Sequence, residues 1–383
     1  MMFIEKLSLP ADAKKLLKEL GVDGGGINIL ASKMQTHIIS IKELHVGAAN
    51  ILKQDALSIG ADLAVPRGTV IAKTQYVDVL LIATQKQLET LSRKELAQPF
   101  GLKEVAKKFA EIAKAKKPQQ TKIMGIINAN DDSFYAQSRF HASEAMQAID
   151  TMIDEGAHII DIGAVSSRPN AAFVSAEEEL SRLKPLLDLL AHERTHEQVQ
   201  LSIDSYEPKA ISYALERGFS IVNDITGLMD DAVCKLCASY DATAVIMHMQ
   251  GTPQTMQKNP HYKSLLSDIS SFFQERIQKA EAFGVKDIIL DVGIGFGKRL
   301  EENLSLLKNL EHFLTLEKPL LIGASRKSMI DSITPADVSQ RLAGTLALHL
   351  EAQRNGAAIL RVHDVKEHVQ AIKIQEALEG VIL

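Results

Sequence analysis

The chain has 383 residues, a length of two or three domains at roughly 100–200 residues each. Its composition, 46% apolar and 24% charged, suits a globular protein with a sizeable core and excludes a disordered or fibrous chain. Lys and Arg total 43 against 48 Asp and Glu, a net charge of −5, which argues against a nucleic-acid partner. A local basic cluster can still hold a small anion against that overall sign.

Two cysteines cannot build a disulfide framework, so a reducing, cytoplasmic setting is expected. The start, MMFIEKLSLPADAKK, has no apolar segment of secretory length, and no stretch approaches the roughly 18 apolar residues that span a bilayer. A soluble, unprocessed protein with no membrane partner is therefore expected.

In chain order, the first 115 residues predict a small α/β domain. AANILKQDALSIG and GLKEVAKKFAEIAKA have helical patterns, ADLAVPRG and VDVLLIAT look like strands, and GVDGGGINIL reads as a loop. None of these carries a chemical motif. A Lys/Ala helix then runs towards Pro118, which should stop it near Lys117 and opens a linker over residues 116–121.

After the linker one phrase recurs: a helix ends on Gly, and a short apolar strand follows that finishes on a polar residue. It appears as EGAHIIDIG (155–163), RGFSIVNDI (217–225), FGVKDIILDVG (283–293) and NGAAILRVHD (355–364). Glycine supplies the left-handed helix end, and the continuous apolar run marks a strand buried on both faces. KIMGIIN (122–128), VQLSID (199–204), TAVIMH (243–248) and PLLIGAS (319–325) complete a set of eight strands alternating with helices. Eight units over residues 122–383 predict a (β/α)8 TIM barrel; a doubly wound open sheet is the alternative.

In such a barrel the chemistry sits where strands end. Those positions hold Asn128, Asp161, Asp204, Asn223 with Asp224, His248, Asp291, Ser325-Arg326-Lys327, and Arg361 with His363 and Asp364. Carboxylates and an amide suit a flat heterocycle with adjacent N–H donors, and the cations suit phosphate oxygens. The set proposes a site for an N–H-rich ring with an anionic arm.

Three other features carry less. GIGFGK (293–298) lacks the P-loop spacing and has Arg299 after the Lys, so its glycines are read as letting backbone approach a bound ring. Cys234 and Cys237 form a C-x-x-C with no second pair, too little for zinc. Met247 and Met249 flank His248 and, taken alone, read as core.

The blocks IMGIINANDDSF, IIDIGAVSSRP, SIDSYEP, IVNDITG, VIMHMQGTP, ILDVGIGFGK, LIGASRKSMI and ILRVHDV resemble, in order and spacing, those of the dihydropteroate synthase family. The resemblance covers residues 122 to the C-terminus and leaves the N-terminal domain outside it. It implies condensation of 7,8-dihydropterin pyrophosphate with p-aminobenzoate in folate synthesis, with release of pyrophosphate. It further implies that Asp204, Asn223, Asp291 and Lys327 hold the pterin, with Met247, Phe296 and Gly323 beside the ring. Asn128, Arg361 and His363 would bind pyrophosphate, Asn128 also as a Mg²⁺ ligand. Ser167, Arg168, Pro169 and Ser325 would meet p-aminobenzoate, and the protein would be a homodimer. Lys327, Arg361, His363 and Asp204 would carry the catalysis, as electrostatic stabilisation of the leaving group rather than base chemistry.

Two loops depart from the family pattern. The first reads Asn128-Ala129-Asn130-Asp131 where the family has Asn-Val-Thr-Pro, and the second has Val165 for Glu and Ser167 for Thr. Asp131 is either an added Mg²⁺ ligand or a turn residue. These changes leave two further readings: a pterin-binding homologue without catalysis, and a pterin-dependent methyltransferase domain. The basic SRK and RVHD blocks and the lack of an H-x-D-x-x-G motif disfavour the methyltransferase.

Overall fold

A computed structural model describes residues 2–7, 12–129, 138–165 and 174–381, with only the backbone described at 138–141. The chain divides into two compact units, residues 1–115 together with 375–383, and residues 116–374.

In the first unit the elements run α1 (Ala13–Glu19), α2 (Gly24–Met34), β1 (Thr36–His45), α3 (Val46–Ser58), β2 (Asp62–Ala64), β3 (Tyr76–Thr84), α4 (Gln85–Lys94) and α5 (Leu102–Lys114). Strand β3 pairs antiparallel with both β1 and β2, placing Ile38 opposite Ile82 and Leu63 opposite Leu81. Burial along β3 alternates residue by residue, so one sheet face meets a core of Leu52, Leu81, Leu88, Leu91, Leu102 and Phe109. Two expectations change here. GGGINIL is helical, because the Asp23 carboxylate accepts from the Gly25 N–H at 2.9 Å and caps α2. THIISIKELH, with its period-2 alternation, is the long strand β1. Helix α5 ends at Lys114 rather than near Lys117, since Ala115 is already extended.

The second unit is a closed barrel in which neighbouring strands are parallel throughout, in the order β10-β11-β4-β5-β6-β7-β8-β9. Its strands are β4 (Lys122–Asn128), β5 (Ile159–Gly163), β6 (Gln200–Asp204), β7 (Ile221–Asp224), β8 (Thr243–Met247), β9 (Ile288–Asp291), β10 (Leu320–Ile322) and β11 (Ile359–Val362). All eight fall within the predicted segments. The helices between and after them are α6 (Ser138–Asp154), α7 (Ala176–His192), α8 (Pro208–Leu215), α9 (Asp231–Ser239), α10 (Leu265–Ala282), α11 (Leu300–Lys308), α12 (Ser328–Ile333), α13 (Leu342–Arg354) and α14 (Val365–Gly380). Gly156, Gly218, Gly284 and Gly356, which precede four of the strands, all have φ between +88° and +100°, as the recurring phrase required. Met124, Ile159, Ile221, Val245, Ile289, Leu321 and Ile359, one residue from each of seven strands, pack into a single buried cluster. That layer fills the barrel, so polar residues further along each strand emerge at its C-terminal mouth.

Candidate active site

Asp161, fully buried on β5, is the hub of the acidic side. One carboxylate oxygen accepts from the Ser202 hydroxyl at 2.6 Å, and the other accepts from the Asn223 amide at 3.0 Å and from Arg361 Nε at 2.6 Å. Arg361 Nη2 donates to Asp204 at 2.6 Å. The predicted pyrophosphate residue is therefore seated between two carboxylates, one of them a predicted pterin residue. Burial opposes charge on Arg361, but Asp161 and Asp204 overcome it and raise its pKa further. Burial pushes the Asp204 carboxyl up against the pull of Arg361, with the charges of Asp161, Glu179 and Asp224 adding to the rise. Because Asn223 gives one N–H to Asp161, which orients the amide, its oxygen is directed away from that carboxylate as an acceptor. Asp224, next along β7, serves its own loop by accepting from Thr226 and Leu228 backbone N–H groups at 2.6 and 3.0 Å.

The cationic side lies on the turn after β10 and the loop after β11. The His363 backbone N–H donates to Ser325 Oγ at 3.3 Å, and the same hydroxyl meets His363 Nδ1 at 2.9 Å, donating or accepting according to the imidazole tautomer. Ser325, expected beside p-aminobenzoate, is thus engaged with a pyrophosphate candidate. Arg326 pairs with Asp364 through two guanidinium nitrogens, Nε at 3.1 Å. Lys327 donates to the Ile294 carbonyl and lies 4.5 Å from the Phe296 ring centroid, a cation–π contact. Burial holds the Lys327 ammonium down at about 8, against the pull of Asp291 and with Arg361 adding to the fall. Burial raises Asp291 in turn, Lys327 opposing it. Gly323 lies against Arg361, where an added Cβ would be 3.8 Å from the arginine Cβ.

Between these sides the loop after β9 is clamped by Lys298. Its buried Nζ is surrounded by four partners that share its three N–H groups: His248 Nδ1 at 3.0 Å and the carbonyls of His248, Gly293 and Phe296 at 3.2, 3.0 and 2.9 Å. His248 is an acceptor there, and burial beside Lys298 holds it down at about 3. The glycine reading changes accordingly. A Cβ on Gly293, at φ +66°, would lie 2.0 Å from the His248 carbonyl, so this glycine lets two loops of the protein approach each other rather than a ring. Met247 is buried at the end of β8. Cys234 and Cys237 are buried free thiols on α9.

Asn128 is exposed at the end of β4. Among the described residues no three His, Cys, Asp or Glu side chains form a metal cage. A single neutral amide oxygen fits Mg²⁺ only as an ion that keeps its waters and arrives with substrate phosphates, the usual mode for this metal. Asp131, Ser167, Arg168 and Pro169 lie outside the described residues.

Three features of this geometry were not read from sequence. Asp161 stood among the strand ends but was given no role; its signal was a carboxylate inside an otherwise apolar strand. Lys298 was visible only as the last residue of a glycine loop. The Ser325–His363 pair joins residues 38 positions apart.

The family model described as pterin binding enzyme matches residues 124–363. The Escherichia coli dihydropteroate synthase is 40% identical over 259 residues, 67% of this chain and 90% of that protein. The chain belongs to the dihydropteroate synthase family. A bifunctional dihydropteroate synthase/dihydropteroate reductase of Helicobacter pylori is 41% identical over 99% of both chains. A solved Yersinia pestis dihydropteroate synthase with a sulfonamide drug superposes with a TM-score of 0.64 at 38% identity, covering 68% of this chain and 95% of that one. Among the described residues no helix is long and apolar enough to cross a membrane.

Proposed function

We propose that the two sides of the barrel mouth divide the work of dihydropteroate synthesis. The enzyme joins 6-hydroxymethyl-7,8-dihydropterin pyrophosphate to p-aminobenzoate: the methylene C–O bond breaks, a C–N bond to the arylamine forms, and pyrophosphate and a proton leave. Asp204, Asn223 and Asp291 accept the ring N–H groups, with Lys327 as the ring's cationic partner and Met247, Phe296 and Gly323 against its surfaces. His363 and Arg361 take the pyrophosphate oxygens. Arg361 has five N–H donors, of which Asp161 and Asp204 take one each. Ser167, Arg168, Pro169 and Ser325 serve the arylamine. Asn128 would hold Mg²⁺, which would supply charge neutralisation to the departing pyrophosphate.

The Asp161-fixed amide of Asn223 supports this reading best, because it commits an acceptor to the barrel mouth before any ligand binds. Arylamine-dependent release of pyrophosphate from the pterin substrate tests it. Pterin binding without turnover would instead favour a non-catalytic homologue, and methyl transfer would favour the methyltransferase reading. Two buried free thiols support a reducing, cytoplasmic setting; the homodimer rests on the family resemblance, and light scattering tests it.

One observation favours a second activity. The relative matching 99% of this chain is named also as a dihydropteroate reductase, whereas the Escherichia coli relative, matching 67%, is named as a synthase alone. We infer that this chain also reduces the dihydropteroate it makes, given a two-electron donor. Incubating it with dihydropteroate and NADH or NADPH, and following loss of the dihydropterin absorbance, tests this.

A further inference from the structure

Behind the cationic side lie two buried imidazoles that the condensation does not use. His349 on α13 and His368 on α14 are each 1% exposed, with ring centroids 4.9 Å apart. The Ala324 N–H donates to His349 Nε2 at 3.0 Å, His349 Nδ1 meets His368 Nε2 at 2.8 Å, and His368 Nδ1 meets the Asp364 carbonyl at 2.5 Å.

Every proton in this chain is determined. A backbone N–H can only donate, so His349 Nε2 is bare and its proton is on Nδ1. His368 Nε2 must then accept, which puts its proton on Nδ1, where a carbonyl can only accept. Both rings are neutral Nδ1–H tautomers. Burial holds both below the ordinary histidine range, His349 well below. Because both ends are backbone groups, the chain cannot shuttle a proton to substrate. All four ring nitrogens are occupied, so it is not a metal site either. What it does is tie the end of β10 to the loop after β11.

A second contact on α13 points the same way. Thr345, one turn before His349, accepts from the Arg326 N–H at 3.0 Å. Two groups at i and i+4 on one helix face thus receive the backbone of the turn that carries Ser325 and Lys327. Arg326 has φ +54°, a left-handed conformation unusual for a residue with a side chain, which the surrounding bonds must enforce.

We propose that the His349–His368 pair is a positioning device for the pyrophosphate corner, holding the Ser325–Lys327 turn in register with the His363 loop. The proposal rests on the assignment of that corner to pyrophosphate. His349→Leu removes the acceptor for the Ala324 N–H, and His349→Gln can restore one. In the full-length enzyme, His349→Leu should weaken inhibition by inorganic pyrophosphate about tenfold, the scale of one lost buried hydrogen bond. His349→Gln should recover most of that loss, and binding of the pterin lacking pyrophosphate, which meets this turn through Lys327 alone, should fall by much less than pyrophosphate inhibition in either variant. Parental inhibition in a folded His349→Leu protein would overturn the proposal, as would an equal loss of pterin binding. Nitrogen-15 spectra of histidine-labelled parent enzyme give an independent reading, with two Nδ1–H tautomers expected. A protonated ring or an Nε2–H tautomer at either position would overturn the relay. If His349→Leu does not fold, His368→Leu takes its place: it leaves the His349 Nδ1–H without its acceptor, frees that ring to turn and should weaken pyrophosphate inhibition similarly, and parental inhibition would again overturn the proposal. A parent that ignores pyrophosphate would refute the assignment of the corner, while the tautomers still decide the relay.

Discussion

The two units are built from similar apolar residues, yet they handle polar groups in opposite ways. In the N-terminal sheet, β3 alternates buried and exposed positions and its Asp78 is exposed, so that Glu95, on the short helical turn after α4, stands out as a fully buried carboxylate of that unit. In the barrel, β5 and β7 are buried along their whole length, and their polar residues, Asp161, Asn223 and Asp224, are buried with them. A half-covered sheet can discard its charges into solvent; a closed parallel barrel must satisfy each one internally. That obligation concentrates oriented, desolvated groups at one end of the barrel.

The contrast breaks most visibly at Arg361. Arg361→Ala should lower kcat/KM by about 10²–10³-fold, as loss of an oriented transition-state donor does. It should also cost about 3–5 kcal/mol of stability, because buried Asp161 loses its cation. Pyrophosphate-release kinetics and urea unfolding measure the two, and a near-parental rate would reduce this network to scaffolding. Leu81→Ala is the counterpart in the N-terminal unit. The cavity should destabilise that unit by about 2–5 kcal/mol, with condensation kinetics at low temperature unchanged. A matching loss of synthase activity would erase the distinction.

Asp204→Asn sharpens the contrast within the mouth. The amide brings an NH₂ towards ring donors and should weaken pterin binding by about 1–3 kcal/mol. Fluorescence titration is convenient because the chain has no Trp, and parental affinity would move the ring elsewhere.

The smallest expected effect is a pH dependence. With the Lys327 ammonium held at about 8, kcat/KM should fall as pH rises past that value, and Lys327→Met should lose that limb. Stability should respond with the opposite sign. Between about 8 and the ordinary 10.5, the unfolded chain holds a proton on this lysine that the folded chain has released. The contribution of Lys327 to stability therefore rises with pH across that window. A kcat/KM profile flat to pH 10 would mean that the ammonium is not needed.

The barrel was legible because its strands are continuous apolar runs behind helix-ending glycines, a pattern that tertiary context reinforces. The residues at its mouth were legible as a set for the same reason: each is where an apolar run stops. Their partners were not. Nothing local to Asp161 says that it accepts from Ser202, Asn223 and Arg361, since strand neighbours meet only once the barrel closes. Lys298 folds back onto carbonyls of its own loop and of the neighbouring one, a geometry that depends on φ values no motif encodes. His349 and His368 sit on different helices with no shared pattern. In the N-terminal unit, α2 was hidden by three glycines whose low helix propensity the Asp23 cap and the burial of Ile27 outweigh.

The carboxylate of Asp161 also shapes how this pocket can change over generations. One group serves residues on β6, β7 and β11 at once, so a replacement at any of them alters the setting in which the others act. Substitutions there will be strongly epistatic, and their double-mutant energies will not add. A change in what this enzyme accepts or refuses is therefore expected to be easier to reach at positions outside the network than within the buried cluster.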